Sequence, residues 1–86
     1  MTHVHDDATR VFLVTGAAGG IGAAIANTLA RPSCRLMLHT RANADGLERT
    51  ADLARECGAE VETTLCDLAV GEHAGELVSK TIARFG

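Results

Sequence analysis

The fold is decided by residues 10–22, which read RVFLVTGAAGGIG. The first part of this stretch is apolar, rich in β-branched side chains and free of polar alternation, which is typical of a parallel strand covered on both faces. After this run the apolar residues take a helical spacing. Ile21, Ile25 and Leu29 recur at every fourth position among alanines, as expected of a helix. The stretch therefore predicts a strand, a glycine-rich turn and a helix.

Two further pairs of strand and helix follow. A short apolar run at 36–38 predicts the second strand, and Asn43 or Asp45 is suited to cap the next helix. Alternation over 61–65 predicts a third strand, less completely covered than the first two. Three- and four-residue spacing over 74–85 predicts a third helix. The order β-α-β-α-β-α with right-handed crossovers predicts an α/β fold with three adjacent parallel strands.

Composition excludes several classes of function. The chain has 86 residues, a formal net charge of −3 and 2% aromatic residues, so it lacks the basic surface and the stacking rings of nucleic-acid-binding proteins. No apolar run approaches the ~18 residues that cross a bilayer. We therefore expect a single soluble domain, with neither nucleic acid nor a membrane as its partner.

The first residues predict a tail rather than a targeting signal. Residues 1–9 are polar and acidic, without the basic start and apolar stretch of an export signal, so we predict a flexible tail and a cytoplasmic protein. His3 and His5 resemble a metal clip, but a solvated tail is the favoured interpretation and no metal site is predicted. The cysteines have the spacing of neither a metal knuckle nor a redox pair, and we expect reduced thiols at Cys34, Cys57 and Cys66.

The glycine-rich turn lies where the first strand becomes the first helix, and this position makes it informative. A helix start leaves backbone N–H groups without partners and carries partial positive charge, so an anion held there is stabilised. Gly16 permits a tight turn out of the strand, and Gly22 lets the helix pack closely on the sheet. Gly19 and Gly20 leave the amides open to a diphosphate. The alternative is an ordinary glycine-rich loop, but the strand before it and the alanine-rich helix after it favour a dinucleotide site.

The spacing Thr-Gly-x-x-x-Gly-Ile-Gly at Thr15–Gly22 resembles the cofactor fingerprint of the short-chain dehydrogenase/reductase family. The resemblance continues through residues 66–68 and 84–86 and covers nearly the whole chain after the tail. It implies a Rossmann-type three-layer α/β sandwich, of which residues 10–86 are the incomplete N-terminal half. It also implies that the loop binds the diphosphate of a nicotinamide dinucleotide through Gly16, Ala18, Gly19, Gly20 and Ile21.

The end of the second predicted strand bears on the choice between NADP and NAD. Family members that use NAD commonly carry an acid here, which binds the ribose hydroxyls, whereas this chain has Thr40 followed by Arg41. A hydroxyl and a guanidinium suit a 2′-phosphate, so NADP is predicted in preference to NAD. The alternative is that Arg41 is a solvated loop cation. Ala18 and Gly19 argue against NADP, because they offer only backbone groups, whereas many NADP-dependent relatives have a second polar or basic side chain in this loop.

Asp67 resembles the family aspartate that accepts a hydrogen bond from the adenine amino group, with the backbone of Leu68 beside it. An aspartate after a strand is also a common helix cap, and both roles stay open here. His39, near the predicted ribose pocket, is expected to pack or to contact the cofactor rather than to transfer a proton. Ser79 and Lys80 are expected on the surface.

The residues that catalyse the family's reaction are missing from this stretch. In the family a Tyr transfers the substrate proton, assisted by a Lys, a Ser and an Asn, whereas the chain has no Tyr and its single lysine is Lys80. The resemblance implies a homo-oligomeric oxidoreductase that interconverts a small carbonyl compound and an alcohol with NADP(H), similar to 3-oxoacyl carrier-protein reductases. It implies that this part alone is inactive. The alternative is a non-catalytic nucleotide-binding or regulatory module.

Overall fold

The computed structural model describes residues 9–86, so the predicted tail, with His3 and His5, lies outside the described residues except for Thr9. Strands and helices alternate in the predicted order: β1 (Arg10–Val14), α1 (Gly20–Leu29), β2 (Cys34–Thr40), α2 (Ala44–Glu56), β3 (Glu60–Leu65) and α3 (His73–Phe85). The second strand is longer than the apolar run at 36–38 indicated. Within the described range, none of the helices has both the length and the apolar character that a membrane crossing requires.

The strands form one parallel sheet in the order β1-β2-β3. Phe12 pairs with Leu36 and Leu36 pairs with Val61, so these three side chains share one face of the sheet. Leu13 and Met37 are paired in the same way and share the opposite face. This register confirms the predicted set of three adjacent parallel strands.

Helices cover both faces of the sheet and make three layers. On one face, apolar side chains of β2 pack against α1 and α2, in a cluster that includes Ala26, Leu38, Leu47 and Ala51. On the other face Met37 packs against Leu77 and Phe85 of α3. The predicted Rossmann-type three-layer α/β arrangement is confirmed.

The first strand is less covered than its apolar sequence predicts. It lies at the edge of the sheet, its only buried residue is Val14, and Val11 is 40% exposed. The coverage of both faces that the apolar run predicts is therefore not found for β1 within residues 9–86, whereas an open edge is what the family resemblance implies for the first strand of an N-terminal half. Within this range β1 pairs with β2 alone, and its side chains Phe12 and Leu13 are only partly buried against the two helical layers.

Candidate functional site

The turn between β1 and α1 has a backbone that exposes the start of the helix. Gly16 and Gly20 have φ angles of +64° and +58°, a left-handed conformation that L side chains disfavour. Gly19 precedes the helix in an extended conformation and provides no side-chain cap, and the first turn of α1 contains no acidic residue. The amide of Ala23 donates to Gly19 O at 3.3 Å, so the amides before it are the open donors of the helix start.

Helix α1 rests directly on this turn at Gly22. A Cβ atom built on Gly22 would overlap the Gly16 carbonyl oxygen and would lie 2.6 Å from the Gly16 carbonyl carbon. The sequence predicted that Gly22 allows close packing on the sheet. The structure shows that the close contact is with the backbone of the turn itself, which fixes the helix start beside the open amides.

The turn is also attached to the second strand. The amide of Ala17 donates to the carbonyl oxygen of His39 at 2.8 Å, and the Ala17 side chain is fully buried. Ala17 therefore has a structural role, which the sequence pattern did not indicate. This bond holds the glycine-rich turn against the end of β2.

A second contact that sequence reasoning missed joins the turn to α2. A Cβ atom on Gly46 would lie 2.6 Å from the carbonyl oxygen of Ala18, so the first turn of α2 approaches the loop as closely as a glycine permits. The signal in the sequence was a glycine inside a helical pattern, which weakens a helix unless packing requires it. Asn43 caps this helix, since its side chain accepts from the Gly46 amide at 2.9 Å. Of the two predicted caps, Asn43 is therefore the one used.

The residues predicted to select the cofactor follow directly after β2. Thr40 is the last residue of that strand and is half-buried, while Arg41 is exposed in the short connection to α2. The carbonyl oxygen of Thr40 accepts from the Cys66 amide at 3.2 Å. The backbone at Thr40 is therefore fixed, and the guanidinium that follows is accessible to a ligand.

Asp67 closes the turn that follows β3. Its Oδ1 atom accepts from the Ala69 amide at 2.9 Å, and its carbonyl oxygen lies 2.9 Å from Nδ1 of His73, the first residue of α3. The predicted helix cap is wrong in detail, because α3 is preceded by Glu72 without a side-chain cap. Asp67 instead stabilises the connection before the helix, and its second carboxylate oxygen is left for another donor.

Comparison with known proteins identifies the family. The model of the short-chain dehydrogenases matches residues 10–86. The chain belongs to this family. It is 39% identical over 77 residues to an uncharacterized oxidoreductase of Staphylococcus saprophyticus, which covers 90% of this chain and 33% of that protein.

Two solved structures of similar proteins have the same fold. The first is a variant of actinorhodin polyketide ketoreductase with NADPH, with a TM-score of 0.78, 34% identity and coverage of 93% of this chain and 30% of that one. The second is an alcohol dehydrogenase from the archaeon Thermococcus sibiricus complexed with 5-hydroxy-NADP, with a TM-score of 0.76, 38% identity and coverage of 91% and 33%. The chain thus spans about a third of the length of the relatives that it matches.

In this chain, all residues predicted to bind the cofactor lie at the end of the sheet where the carboxyl ends of the strands meet. They occupy the connections after β1, β2 and β3 or the strand and helix ends beside them, and parallel strands direct those connections to the same edge. The side chain of Ile21 is 80% exposed, so at this position the backbone amide is the group suited to an anion. Ser79 and Lys80 are exposed on α3, as predicted. In the part of the chain that is described, no group of three His, Cys, Asp or Glu side chains is arranged to hold a metal ion.

Proposed function

We propose that this short-chain dehydrogenase binds the adenosine and diphosphate part of NADP(H), as part of an oxidoreductase that interconverts a small carbonyl compound and an alcohol. The observation that carries the proposal is the open start of α1, where two left-handed glycines and the absence of a side-chain cap or first-turn acid leave backbone donors for an anion. A diphosphate matches these donors in charge and in hydrogen-bonding chemistry.

The diphosphate is assigned to the backbone of the glycine-rich turn. The amides concerned belong to residues at the turn and the first turn of α1, namely Gly16, Ala18, Gly19, Gly20 and Ile21. The contacts of Gly22 and Ala17 support this assignment, because they fix the turn from two sides before any ligand arrives. A preformed set of donors loses little entropy when the anion binds.

The 2′-phosphate of NADP(H) is assigned to Thr40 and Arg41. Arg41 is exposed at the edge of the sheet that carries the glycine-rich turn, and a guanidinium pairs with a phosphate through two parallel hydrogen bonds. The similar ketoreductase was solved with NADPH and the similar alcohol dehydrogenase with 5-hydroxy-NADP. These two complexes favour NADP over NAD for this chain as well.

The adenine ring is assigned to Asp67 and Leu68. One carboxylate oxygen of Asp67 is held by the Ala69 amide, and a carboxylate has further acceptor sites for the adenine amino group. Leu68 is exposed beside it at the same connection. The Asp67 side chain can therefore stabilise the turn after β3 and contact the adenine ring at the same time.

The bound cofactor supplies or accepts the hydride. The residues of this chain bind and orient its adenosine side, and the group that moves the substrate proton is assigned to other parts of the protein, since these 86 residues contain no Tyr.

We assign the substrate to ketones of the 3-oxoacyl type, in line with the ketoreductase neighbour, and the assembly to a homo-oligomer. The 86-residue chain alone is expected to be inactive. NADPH-dependent ketone reduction by the purified chain would contradict this.

A cytoplasmic location accords with the state of the cysteines. The spacing of Cys34, Cys57 and Cys66 is that of neither a metal knuckle nor a redox pair, and the reduced thiols expected from it are typical of proteins in a reducing compartment.

Titration with NADP⁺ and NAD⁺ tests the proposed function. The Arg41→Ala variant is expected to lower the preference for NADP⁺ about tenfold to a hundredfold, because a charge-assisted hydrogen bond contributes roughly 1.5–3 kcal/mol. Arg31→Ala is the matched control, since Arg31 is also exposed but lies before β2, at the opposite end of the strand. An unchanged ratio of the two dissociation constants in Arg41→Ala would refute the 2′-phosphate assignment. Failure of the wild-type protein to bind either dinucleotide would refute the proposed function.

A further inference from the structure

His39 is a buried polar residue near the carboxyl end of β2, beside the proposed cofactor site. It is the penultimate residue of β2 and is 4% exposed. It pairs with Thr64 of β3, and in the alternation of the strand its side chain shares the face of Met37, which is packed against α3. A histidine in such a position is unusual, because buried positions of this kind mostly hold apolar side chains, as Met37 does on the same face.

The contacts of His39 reach each of the three connections that carry the proposed site. Its carbonyl oxygen accepts from the Ala17 amide of the glycine-rich turn at 2.8 Å. Its Nε2 atom lies 2.8 Å from the carbonyl oxygen of Cys66, the residue before Asp67. Its own C-terminal neighbours are Thr40 and Arg41. One residue thus joins the proposed subsites for the diphosphate, the 2′-phosphate and the adenine ring.

The contact with Cys66 defines the tautomer of the ring. A carbonyl oxygen only accepts hydrogen bonds, so Nε2 carries the proton and donates. Nδ1 is buried and has no hydrogen-bond partner in residues 9–86, which costs free energy that an apolar side chain would avoid. The link between β2 and β3 through Nε2 is therefore the feature that distinguishes histidine from an apolar residue at this position.

We propose that His39 is a positioning residue, which holds the end of β2 and the connection after β3 at the separation that the adenosine part of NADP(H) requires. This inference rests on the proposed function. Without the Nε2 bond, Thr40 keeps its backbone bond to the Cys66 amide, but the carbonyl oxygen of Cys66 beside Asp67 loses its side-chain donor, so the connection after β3 is held less rigidly. The glycine-rich turn keeps its own bond to the backbone of residue 39. Loss of the ring is therefore expected to weaken the adenosine contacts more than the contact with the diphosphate.

The test compares two substitutions in the full-length protein. His39→Leu fills the space with an apolar side chain, and His39→Gln offers an amide N–H that reaches about as far as Nε2. Two probes are used. Adenosine 2′,5′-bisphosphate carries the adenine ring and the 2′-phosphate, the groups assigned to the two adenosine subsites. Inorganic diphosphate carries neither of these groups. Thr81→Val is the control for lost stability, because it removes a buried hydroxyl bonded to Leu77 O at 2.8 Å on α3, away from the strand ends.

The expected result separates the two probes. His39→Leu raises the dissociation constant of the bisphosphate about tenfold, as loss of one hydrogen bond does. It leaves that of diphosphate within about threefold, because the bond from the Ala17 amide to the backbone of residue 39 is kept. His39→Gln and Thr81→Val keep wild-type affinity for both probes. Equal weakening of both probes in His39→Leu, or equal behaviour of the Gln and Leu variants, would overturn the positioning role.

A measurement on the wild-type protein decides the case in which His39→Leu does not fold. Nitrogen-15 spectra of the imidazole are expected to show the Nε2–H tautomer for His39, and the Nδ1–H tautomer would overturn the inference. The two proposals fail in different ways. A wild-type protein that binds no bisphosphate refutes the proposed function and the positioning role together, whereas a wild-type protein that binds it while His39→Leu binds equally well refutes the positioning role alone.

Discussion

Gly22 packs against the carbonyl group of Gly16 so closely that a single added methyl group would overlap it. This contact places the start of α1 on the backbone of the turn, and backbone atoms yield less easily than the end of a flexible side chain. The position of the open amides therefore depends on Gly22, which is not itself among the proposed contact residues.

The first prediction concerns this contact. Gly22→Ala is expected to lower the free energy of unfolding by about 1–3 kcal/mol, because overpacking displaces the turn, although alanine is favoured over glycine in a helix by about 1 kcal/mol. Urea unfolding measures the difference. Gly75→Ala is the matched control, since Gly75 is also helical but has no atom within 4 Å of the added Cβ, and it is expected to raise stability by about 0.5–1 kcal/mol. A shift in the same direction for both variants would show that the contact is not decisive.

The second prediction concerns Gly46, which meets the Ala18 carbonyl oxygen from α2. Gly46→Ala pushes against the Ala18 carbonyl oxygen and against the side chain of Asn43 without replacing any proposed contact residue. We expect the dissociation constant of NADP⁺ to rise about tenfold, because overpacking of roughly 1–3 kcal/mol displaces the turn. Isothermal titration measures it. Gly71→Ala provides the comparison, because a Cβ at Gly71 meets nothing within 4 Å. If the two variants bind NADP⁺ equally well, the loop tolerates the displacement and the prediction is wrong.

The third prediction separates the two roles of Asp67. Asp67→Asn retains an oxygen for the Ala69 amide, so its melting temperature is expected to stay close to that of the wild type, whereas Asp67→Ala loses about 1 kcal/mol of stability with that bond. Both variants are expected to weaken binding of adenosine 2′,5′-bisphosphate by about tenfold, because the carboxylate acceptor for the adenine amino group is gone. Thermal melts and titrations of the same samples test this. If Asp67→Asn binds the bisphosphate with wild-type affinity, the adenine assignment is wrong and Asp67 only stabilises the turn.

Much of the fold was predictable because its signals are local. The apolar run at 10–15 and the four-residue period after it depend on which backbone conformations neighbouring residues adopt, and the parallel order follows from the handedness of the crossovers. The glycine-rich turn was recognisable for the same reason, since its left-handed positions are a property of Gly16 and Gly20 themselves. The nine residues of the proposed site were assigned partly from the family resemblance, and their binding roles stay predictions.

Sequence alone determined the alternation of strands and helices, the three adjacent strands, the family and the position of the turn. Only the tertiary structure decided that Gly46 of α2 meets the turn at Ala18 and that His39 joins the three connections. The physical reason is distance along the chain. Cys66 and His39 are 27 residues apart, and a hydrogen bond between them depends on how whole strands and helices pack, which no local pattern of residues records.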